Sequence, residues 1–254
     1  LSQAFAKMLR NGTYFSTLIP AEPWLFGYYA KTGYTPVFRI SHKVFSLSEL
    51  TIDPEPDTMI EETTEYQEDY YQYLTGNLSE RACLQHTPTD FKVVLADLAL
   101  TQNTVLIARK DNRVTGIAVV YKHDDSSYIN ELFADNEAVR AQLLYRAGLR
   151  NGTERIILQL PPVESLPSVP LGMARIIDAR AVLQLYAAGC PEVEMNIELT
   201  DEQLSVNNGY YYLCKGKCMT SEVRLPGVHT RMPIAELSEK ILDEMQPYMS
   251  LMMN

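Results

Sequence analysis

The chain has 254 residues, of which 46% are hydrophobic, and a formal net charge of −10 at pH 7. This length suffices for one large core or two smaller ones, and the acidic balance excludes a nucleic-acid partner, which would select a basic surface. The sequence has no apolar run of about 18 residues that could span a membrane and no secretory signal pattern at its start, so we expect a cytoplasmic protein with no membrane partner.

The first fifty residues predict the order helix, strand, helix, strand. Leu1–Asn11 has apolar residues at helical spacing from its first position, so we expect the C-terminal part of a longer protein. Thr13–Ile19 is β-branched and aromatic, which predicts a strand. Pro23 suits the first position of a second helix, which Gly33 ends. The alternating segment Thr35–Phe45 predicts the next strand.

An acidic connection opens the middle of the chain. Glu49–Asp69 contains no basic residue and carries Pro54 and Pro56, so we place a module boundary near residue 50. Two helices are predicted next, Tyr66–Leu74 and Phe91–Leu100, and the capping segment Thr87–Asp90 precedes the second. The predicted elements that follow are the hairpin Thr104–Arg109 and Val114–Tyr121, the strand Ser127–Phe133, the helix Glu137–Ala147 and the strand Arg155–Leu160.

The proline-rich segment Pro161–Pro170 precedes a last module. Asp178 suits the N-cap of a helix with apolar residues at helical spacing. The alternation of the next segments predicts an antiparallel sheet, and a final amphipathic helix begins at Pro233. The predicted strands are Val193–Leu199, Gln203–Val206, Gly209–Lys215 and Cys218–Leu225.

Cysteines and histidines give little sign of a reactive site. Four cysteines in a chain of this length do not make a disulfide framework, so we expect reduced thiols. Cys214 and Cys218 have the spacing of a metal half-site or of free thiols in a hairpin; no second pair matches, so we expect no metal. The histidines have no serine or cysteine motif nearby, which gives a hydrolase triad no support.

The order of elements and one motif resemble a known family. Residues 1–50, with Tyr29, Gly33 and Tyr34 in a YxxxGY turn, resemble the C-terminal half of a GNAT-fold N-acetyltransferase domain. Residues 100–160 look like a second, diverged copy, and Met173–Asp178 with the later sheet is similar to a sterol-carrier-like module. Together they resemble the enhanced intracellular survival (Eis-like) acetyltransferase family.

This resemblance implies an α+β fold with three domains: the C-terminal part of a first GNAT domain (1–50), a second GNAT-like domain (51–165) and a sterol-carrier-like domain (166–254). The second domain is expected to be non-catalytic, because Phe133–Arg140 offers no glycine and adds acidic side chains where phosphates would lie. The family's tendency to form hexamers implies a homo-oligomer.

The resemblance also implies acetyl-CoA-dependent N-acetylation of a primary amine, such as an aminoglycoside, a polyamine or a lysine side chain. Tyr29 matches the family's general acid, and the carboxylate of Asn254, if the chain naturally ends there, matches its general base. The acetyl-CoA loop would lie just before Leu1, so Leu1, Ser2 and Tyr29 are the implied cosubstrate contacts.

Alternatives remain for each of these residues. Tyr29 could pack a helix end, Asn254 could lie in a frayed terminus, and Trp24 could line an acceptor pocket or cover the helix start, of which we favour the cover. A rival function is a non-catalytic binding or scaffold protein with an apolar ligand in the sterol-carrier-like module. The residues upstream of Leu1 would discriminate between the two.

Overall fold

The computed structural model describes residues 1–53 and 56–251, so Pro54 and Asn254 lie outside the described residues. The helices of the described part are α1 (Ser2–Arg10), α2 (Pro23–Ala30), α3 (Glu68–Leu78), α4 (Pro88–Leu100), α5 (Glu137–Asn151), α6 (Ala179–Gly189) and α7 (Ile234–Asp243). Its strands are β1 (Phe15–Leu18), β2 (Thr35–Ser46), β3 (Thr58–Thr63), β4 (Thr104–Lys110), β5 (Arg113–His123), β6 (Ser126–Ala134), β7 (Arg155–Leu160), β8 (Ser168–Ile176), β9 (Met195–Thr200), β10 (Gly209–Cys214), β11 (Lys217–Ser221) and β12 (Thr230–Pro233).

The chain forms two compact units. Unit 1 comprises Leu1–Phe38 and Pro170–Gln246, and unit 2 comprises Arg39–Val169 and Pro247–Asn254. In unit 1 the strand order β1-β8-β2 makes one sheet region, and β11-β10-β9-β12 makes a four-stranded sheet. Helices α6 and α7 bury their apolar faces against the four-stranded sheet.

Unit 2 places helices on both faces of a sheet with the order β2-β7-β6-β5-β4-β3. Successive residues of β4 point to opposite faces, so Val105 and Ile107 pack with α3 and α4, whereas Leu106 and Ala108 pack with α5. Because both faces are covered, the central strands are continuous apolar runs and not alternating ones.

Local signals place most element ends where the sequence predicted them. Pro23 is at the start of α2, and Thr87 and Asp90 form a reciprocal capping box at the start of α4. Asp178 caps α6 by accepting a hydrogen bond from the Ala181 amide. Asp111 has a positive φ, as expected for the tight turn of the predicted hairpin between β4 and β5. These predictions are confirmed.

Several segments differ from the sequence predictions, among them strand β8, strand β12, which pairs in parallel with β9, the acidic connection and one predicted strand of the last module. The acidic connection contains strand β3, because Glu61 and Glu62 are paired there with arginines: Arg109 Nε donates to Glu61 at 2.7 Å, and Arg150 Nε donates to Glu62 at 3.0 Å. The strand predicted over Gln203–Val206 is wrong, since the chain forms a short 3₁₀ turn at Ser205–Asn207. Backbone and side-chain hydrogen bonds to Asp201 fix that turn.

Three further expectations concern cysteines, membrane helices and metal ligands. All four cysteines are free, as predicted. Among the described residues, no helix is long and apolar enough to cross a membrane, and no cluster of His, Cys, Asp and Glu side chains could hold a metal ion.

Candidate functional site

The turn between α2 and β2 fixes the backbone of Tyr29. The Tyr29 carbonyl accepts hydrogen bonds from the Thr32 amide at 2.9 Å and from the Thr32 hydroxyl at 2.8 Å, and the Tyr34 amide approaches the same oxygen at 3.4 Å. Gly33 has φ +88°, a left-handed conformation that glycine adopts without steric cost. The last turn of α2 is therefore held in one geometry.

Tyr29 and Tyr34 have different environments in this turn. The Tyr29 ring lies edge-on between the rings of Tyr28 and Tyr34, at centroid distances of 5.2 and 5.8 Å. Tyr34 is buried, and its hydroxyl lies 2.6 Å from the Ser16 hydroxyl. Burial raises the pKa of Tyr34 above its ordinary value, although the Ser16 hydrogen bond lowers it. Tyr29 is half-buried, and within the described part of the chain its hydroxyl has no hydrogen-bond partner, which leaves it available to a ligand.

A buried arginine from β8 supports this turn from inside unit 1. Arg175 is fully buried; its Nη1 donates to the Thr32 carbonyl, and its Nη2 donates to both carboxylate oxygens of Asp201, at 2.8 and 2.7 Å. Its guanidinium also lies 4.5 Å from the ring centroid of Phe5. A Cβ at Gly33 would lie 2.2 Å from Arg175 Nη1, so glycine is required here by packing as well as by φ.

Asp201 is held by partners other than Arg175. The amides of Gln203 and Leu204 donate to Oδ1 at 2.9 and 3.1 Å, and Asn207 Nδ2 donates to Oδ2 at 2.9 Å. Burial opposes ionisation, but the hydrogen bonds from Arg175 and Asn207 outweigh it and hold the pKa of Asp201 below its ordinary value. The pair is therefore an ionised, hydrogen-bonded link between the α2–β2 turn and the segment after β9.

Sequence reasoning did not select Arg175 or Asp201 as site residues. The signal for Arg175 is a single charged residue inside the otherwise apolar run Met173–Ile177 of a buried strand. Such a charge is costly without a partner, so it predicts a buried ion pair. The sequence does not reveal that the partner is Asp201.

The other predicted site residues of unit 1 lie at helix starts. Leu1 is the N-cap of α1, which has no side-chain cap hydrogen bond, and the Ser2 hydroxyl donates to Gln203 Oε1 at 2.6 Å. Trp24 lies in the first turn of α2 and is 68% exposed. The structure does not bring Trp24 into a cavity with Tyr29: no described cavity lining contains either residue.

Unit 2 has a cleft where two parallel strands separate. β6 and β7 pair from Ser126 to Ile129, and beyond that point a cavity of about 510 Å³ opens between them. The start of α5 forms one end of this cavity. There the Asn136 side chain accepts a hydrogen bond from the Val139 amide at 2.9 Å, and Asp135 and Glu137 flank Asn136. Acids at a helix N-terminus disfavour a phosphate there, although Arg81 and Arg140 also line the cavity, so the non-catalytic second domain stays a prediction.

A larger cavity of about 770 Å³ lies beside β9 and α7 in unit 1. Its lining mixes apolar side chains with Glu194, Asn196, Glu236 and Lys240. Charged walls of this kind are unfavourable for a wholly apolar ligand. The cavity therefore gives the apolar-ligand alternative no support.

The comparisons with known proteins concern the fold. No family model and no curated protein matches the chain. A GCN5-related N-acetyltransferase from Kribbella flavida matches over 100% of this chain and 74% of its own, with 17% identity and a TM-score of 0.69. A probable N-acyltransferase from Enterococcus faecalis matches over 94% and 64%, with 14% identity and a TM-score of 0.70. Eis1 from Mycobacterium abscessus matches over 95% and 66%, with 13% identity and a TM-score of 0.60.

These structures define the class of fold. The mixed α+β architecture is that of GCN5-related N-acetyltransferases, as the sequence resemblance implied. The chain spans between about two thirds and three quarters of the length of these three structures. Membership of the Eis-like family, the sterol-carrier-like module and the three-domain division stay predictions.

Proposed function

We propose that the protein is an acetyl-CoA-dependent N-acetyltransferase that acts on a primary amine. The observation that carries this proposal is the hydroxyl group of the half-buried Tyr29, which has no hydrogen-bond partner among the described residues. Thr32, Gly33 and Arg175 fix the turn that carries Tyr29, and the fold is similar to that of N-acetyltransferases. The net charge of −10 favours a cationic acceptor, because an acidic surface attracts cations.

The proposed chemistry uses two groups of this chain. Acetyl-CoA, when bound, supplies a thioester, whose carbonyl carbon the amine nitrogen attacks. Tyr29 donates its hydroxyl proton to the sulfur as the carbon–sulfur bond breaks; phenol and thiol pKa values, about 10 and about 8.5, are close enough for this transfer. If Asn254, which lies outside the described residues, is the natural C-terminus, its carboxylate accepts the proton that the amine nitrogen loses.

The family resemblance places the acetyl-CoA contacts of this chain at Leu1 and Ser2, where α1 begins, and the main phosphate loop before Leu1. Backbone amides at a helix N-terminus suit an anion such as a phosphate. Trp24 lies exposed in the first turn of α2, and we assign it to covering the helix start and not to the acceptor pocket.

Tyr29→Phe should lower kcat by about 10²- to 10⁴-fold, because it removes the proton donor and leaves the ring contacts with Tyr28 and Tyr34 in place. The complete protein, with any residues that precede Leu1, is assayed for thiol release from acetyl-CoA with a panel of primary amines. Acetyl-CoA binding, measured by calorimetry, should weaken far less than kcat falls, because Leu1, Ser2 and the loop before them keep their contacts.

Tyr28→Phe is the matched control, since Tyr28 is the neighbouring tyrosine and is about half exposed. Its kcat should stay within a few-fold of that of the unaltered protein. A Tyr29→Phe variant as active as the Tyr28→Phe variant would contradict the role of Tyr29, and absence of acetyl-CoA binding by the complete protein would contradict the proposed function as a whole.

A further inference from the structure

The segment Pro247–Leu251 returns to unit 2 and is buried there. Tyr248 pairs with the loop after α3: its amide donates to the Ala82 carbonyl at 2.9 Å, and its carbonyl accepts from the Leu84 amide at 3.1 Å. Leu251 packs into the apolar core formed by α3, α4 and the sheet. These contacts make residues 248–251 an integral part of unit 2.

This segment meets β6 at an irregularity of the strand. Val119 and Val120 of β5 pair with Glu131 and Ile129, so Asn130 is an extra residue in β6. The Tyr248 hydroxyl donates to the Asn130 carbonyl at 3.3 Å, and the Ser250 hydroxyl donates to Glu131 Oε2 at 2.5 Å. The buried segment therefore contacts two acceptors at the bulge, the Asn130 carbonyl and the Glu131 carboxyl group.

Glu131 has no ion-pair partner among the described residues, although it is only 4% exposed. Burial raises the pKa of Glu131 to about 7, and the Ser250 hydrogen bond and the Arg81 charge lower it only in part. Arg81 itself lies over the rings of Phe133 and Tyr248, at 5.6 and 5.9 Å from their centroids.

The other titratable groups near this contact come from the loop after α3, from the segment itself and from the cavity that Glu131 lines. Cys83 and Tyr248 are close enough for Glu131 to influence their charge states, and burial raises the pKa of both. His86 Nε2 lies 3.4 Å from the Ser250 carbonyl. Asp135, Glu137 and Arg140 line the same cavity as Glu131, and in the described part of the chain Arg140, like Arg81, forms no ion pair with Glu131.

We infer that Glu131 is a positioning residue: residues 248–251 bury its carboxyl group against β6 more readily when that group is protonated, so its ionisation loosens this segment. Docking of the segment is thus coupled to uptake of one proton. The consequence for catalysis rests on the proposed function and on Asn254 being the natural C-terminus: Asn254 lies three positions after Leu251 in the sequence, so anchoring Leu251 limits the reach of that carboxylate.

The direction of the pH effect follows from proton linkage. With the segment undocked, water reaches Glu131 and its pKa returns toward the ordinary value of 4.5, whereas in the docked state the pKa is about 7. The contribution of protonation to docking is complete below pH 4.5 and is lost as pH rises through 7. Between pH 6 and pH 8 the docking equilibrium should weaken about tenfold.

Hydrogen exchange of residues 248–251, followed by mass spectrometry at pH 6 and pH 8 and corrected for intrinsic exchange, tests this inference. The unaltered protein should lose about tenfold protection between the two pH values. Glu131→Gln, which keeps an acceptor for Ser250 but cannot ionise, should keep its protection at both. Glu164→Gln, at an exposed carboxyl of unit 2, is the control and should retain the pH response.

Ser250→Ala gives a second route if Glu131→Gln does not fold. It removes a donor that favours the ionised carboxylate, so protection should fall while the pH response persists, and a Ser250→Ala variant without any pH response would contradict the inference. A pH-independent protection in the unaltered protein, or a tenfold pH response in Glu131→Gln, would overturn the inference. Turnover is measured separately: if exchange responds to pH as expected but kcat does not change with docking, the anchor stands and the proposed role of Asn254 fails.

Discussion

Arg175→Met is expected to lower the free energy of unfolding by about 3–5 kcal/mol, because it leaves the Asp201 carboxylate buried without its counter-charge. Both side chains of the native pair have zero exposure, so solvent cannot compensate for the lost guanidinium. The same change removes the donor to the Thr32 carbonyl and therefore loosens the turn that carries Tyr29. Denaturant unfolding at pH 7 measures the loss.

Two variants establish which part of this loss is electrostatic. Arg231→Met breaks the exposed pair with Glu198 in the same unit, where Arg231 is 76% exposed, and should cost less than about 1 kcal/mol. Arg175→Met combined with Asp201→Asn removes the stranded charge but keeps an oxygen acceptor for the amides of Gln203 and Leu204. This double variant should be more stable than Arg175→Met alone; equal stability would show that the buried charge is not the main cost.

Gly33→Ala is expected to destabilise the protein by about 2–5 kcal/mol for two separate reasons. An alanine at φ +88° costs about 1–2 kcal/mol in backbone energy. Its Cβ would also lie 2.2 Å from Arg175 Nη1 and 2.7 Å from Ile234 Cγ2, and forcing a methyl group into a packed interior costs about 1–3 kcal/mol. Denaturant unfolding again gives the change.

Gly12→Ala separates the two causes. Gly12 also has a left-handed φ, +71°, but an added Cβ there would meet no atom within 4 Å. Its loss should therefore be limited to the backbone cost of about 1–2 kcal/mol. If Gly33→Ala and Gly12→Ala lower the free energy of unfolding by the same amount, the close approach of Arg175 to Gly33 does not constrain the turn.

The buried pair explains why the turn motif depends on a distant part of the chain. Arg175 lies on β8 and Asp201 follows β9, yet both belong to the same compact unit as Tyr29. Within unit 1 the guanidinium joins α1 through Phe5, the α2–β2 turn through Thr32 and the four-stranded module through Asp201. The geometry proposed to present Tyr29 therefore requires residues after 170 as well as residues before 38.

Elements with strong local signals were predictable because neighbouring residues determine them. The start of α4 follows from Thr87 and Asp90, and the end of α2 follows from Gly33. Strand β3 was not predictable in this way, since its glutamates disfavour a strand locally and are stabilised by arginines of β4 and α5. The turn after Asp201 was missed although its hydrogen bonds are local: the amides of Gln203 and Leu204 donate to the Asp201 side chain, a turn signal that the apolar alternation of Gln203–Val206 obscured.

The sequence by itself determined most of the order of elements, the acidic balance and the turn that ends at Gly33, because periodicity, caps and glycine positions act over a few residues. The role of Tyr29 as the candidate acid was implied only by the family resemblance. Only the tertiary structure decided that Arg175 and Asp201 support that turn and that Ser250 covers Glu131. Those pairs are separated by tens to more than a hundred positions, and their effect arises from burial, which removes solvent screening and makes each charge depend on the partner that folding brings to it.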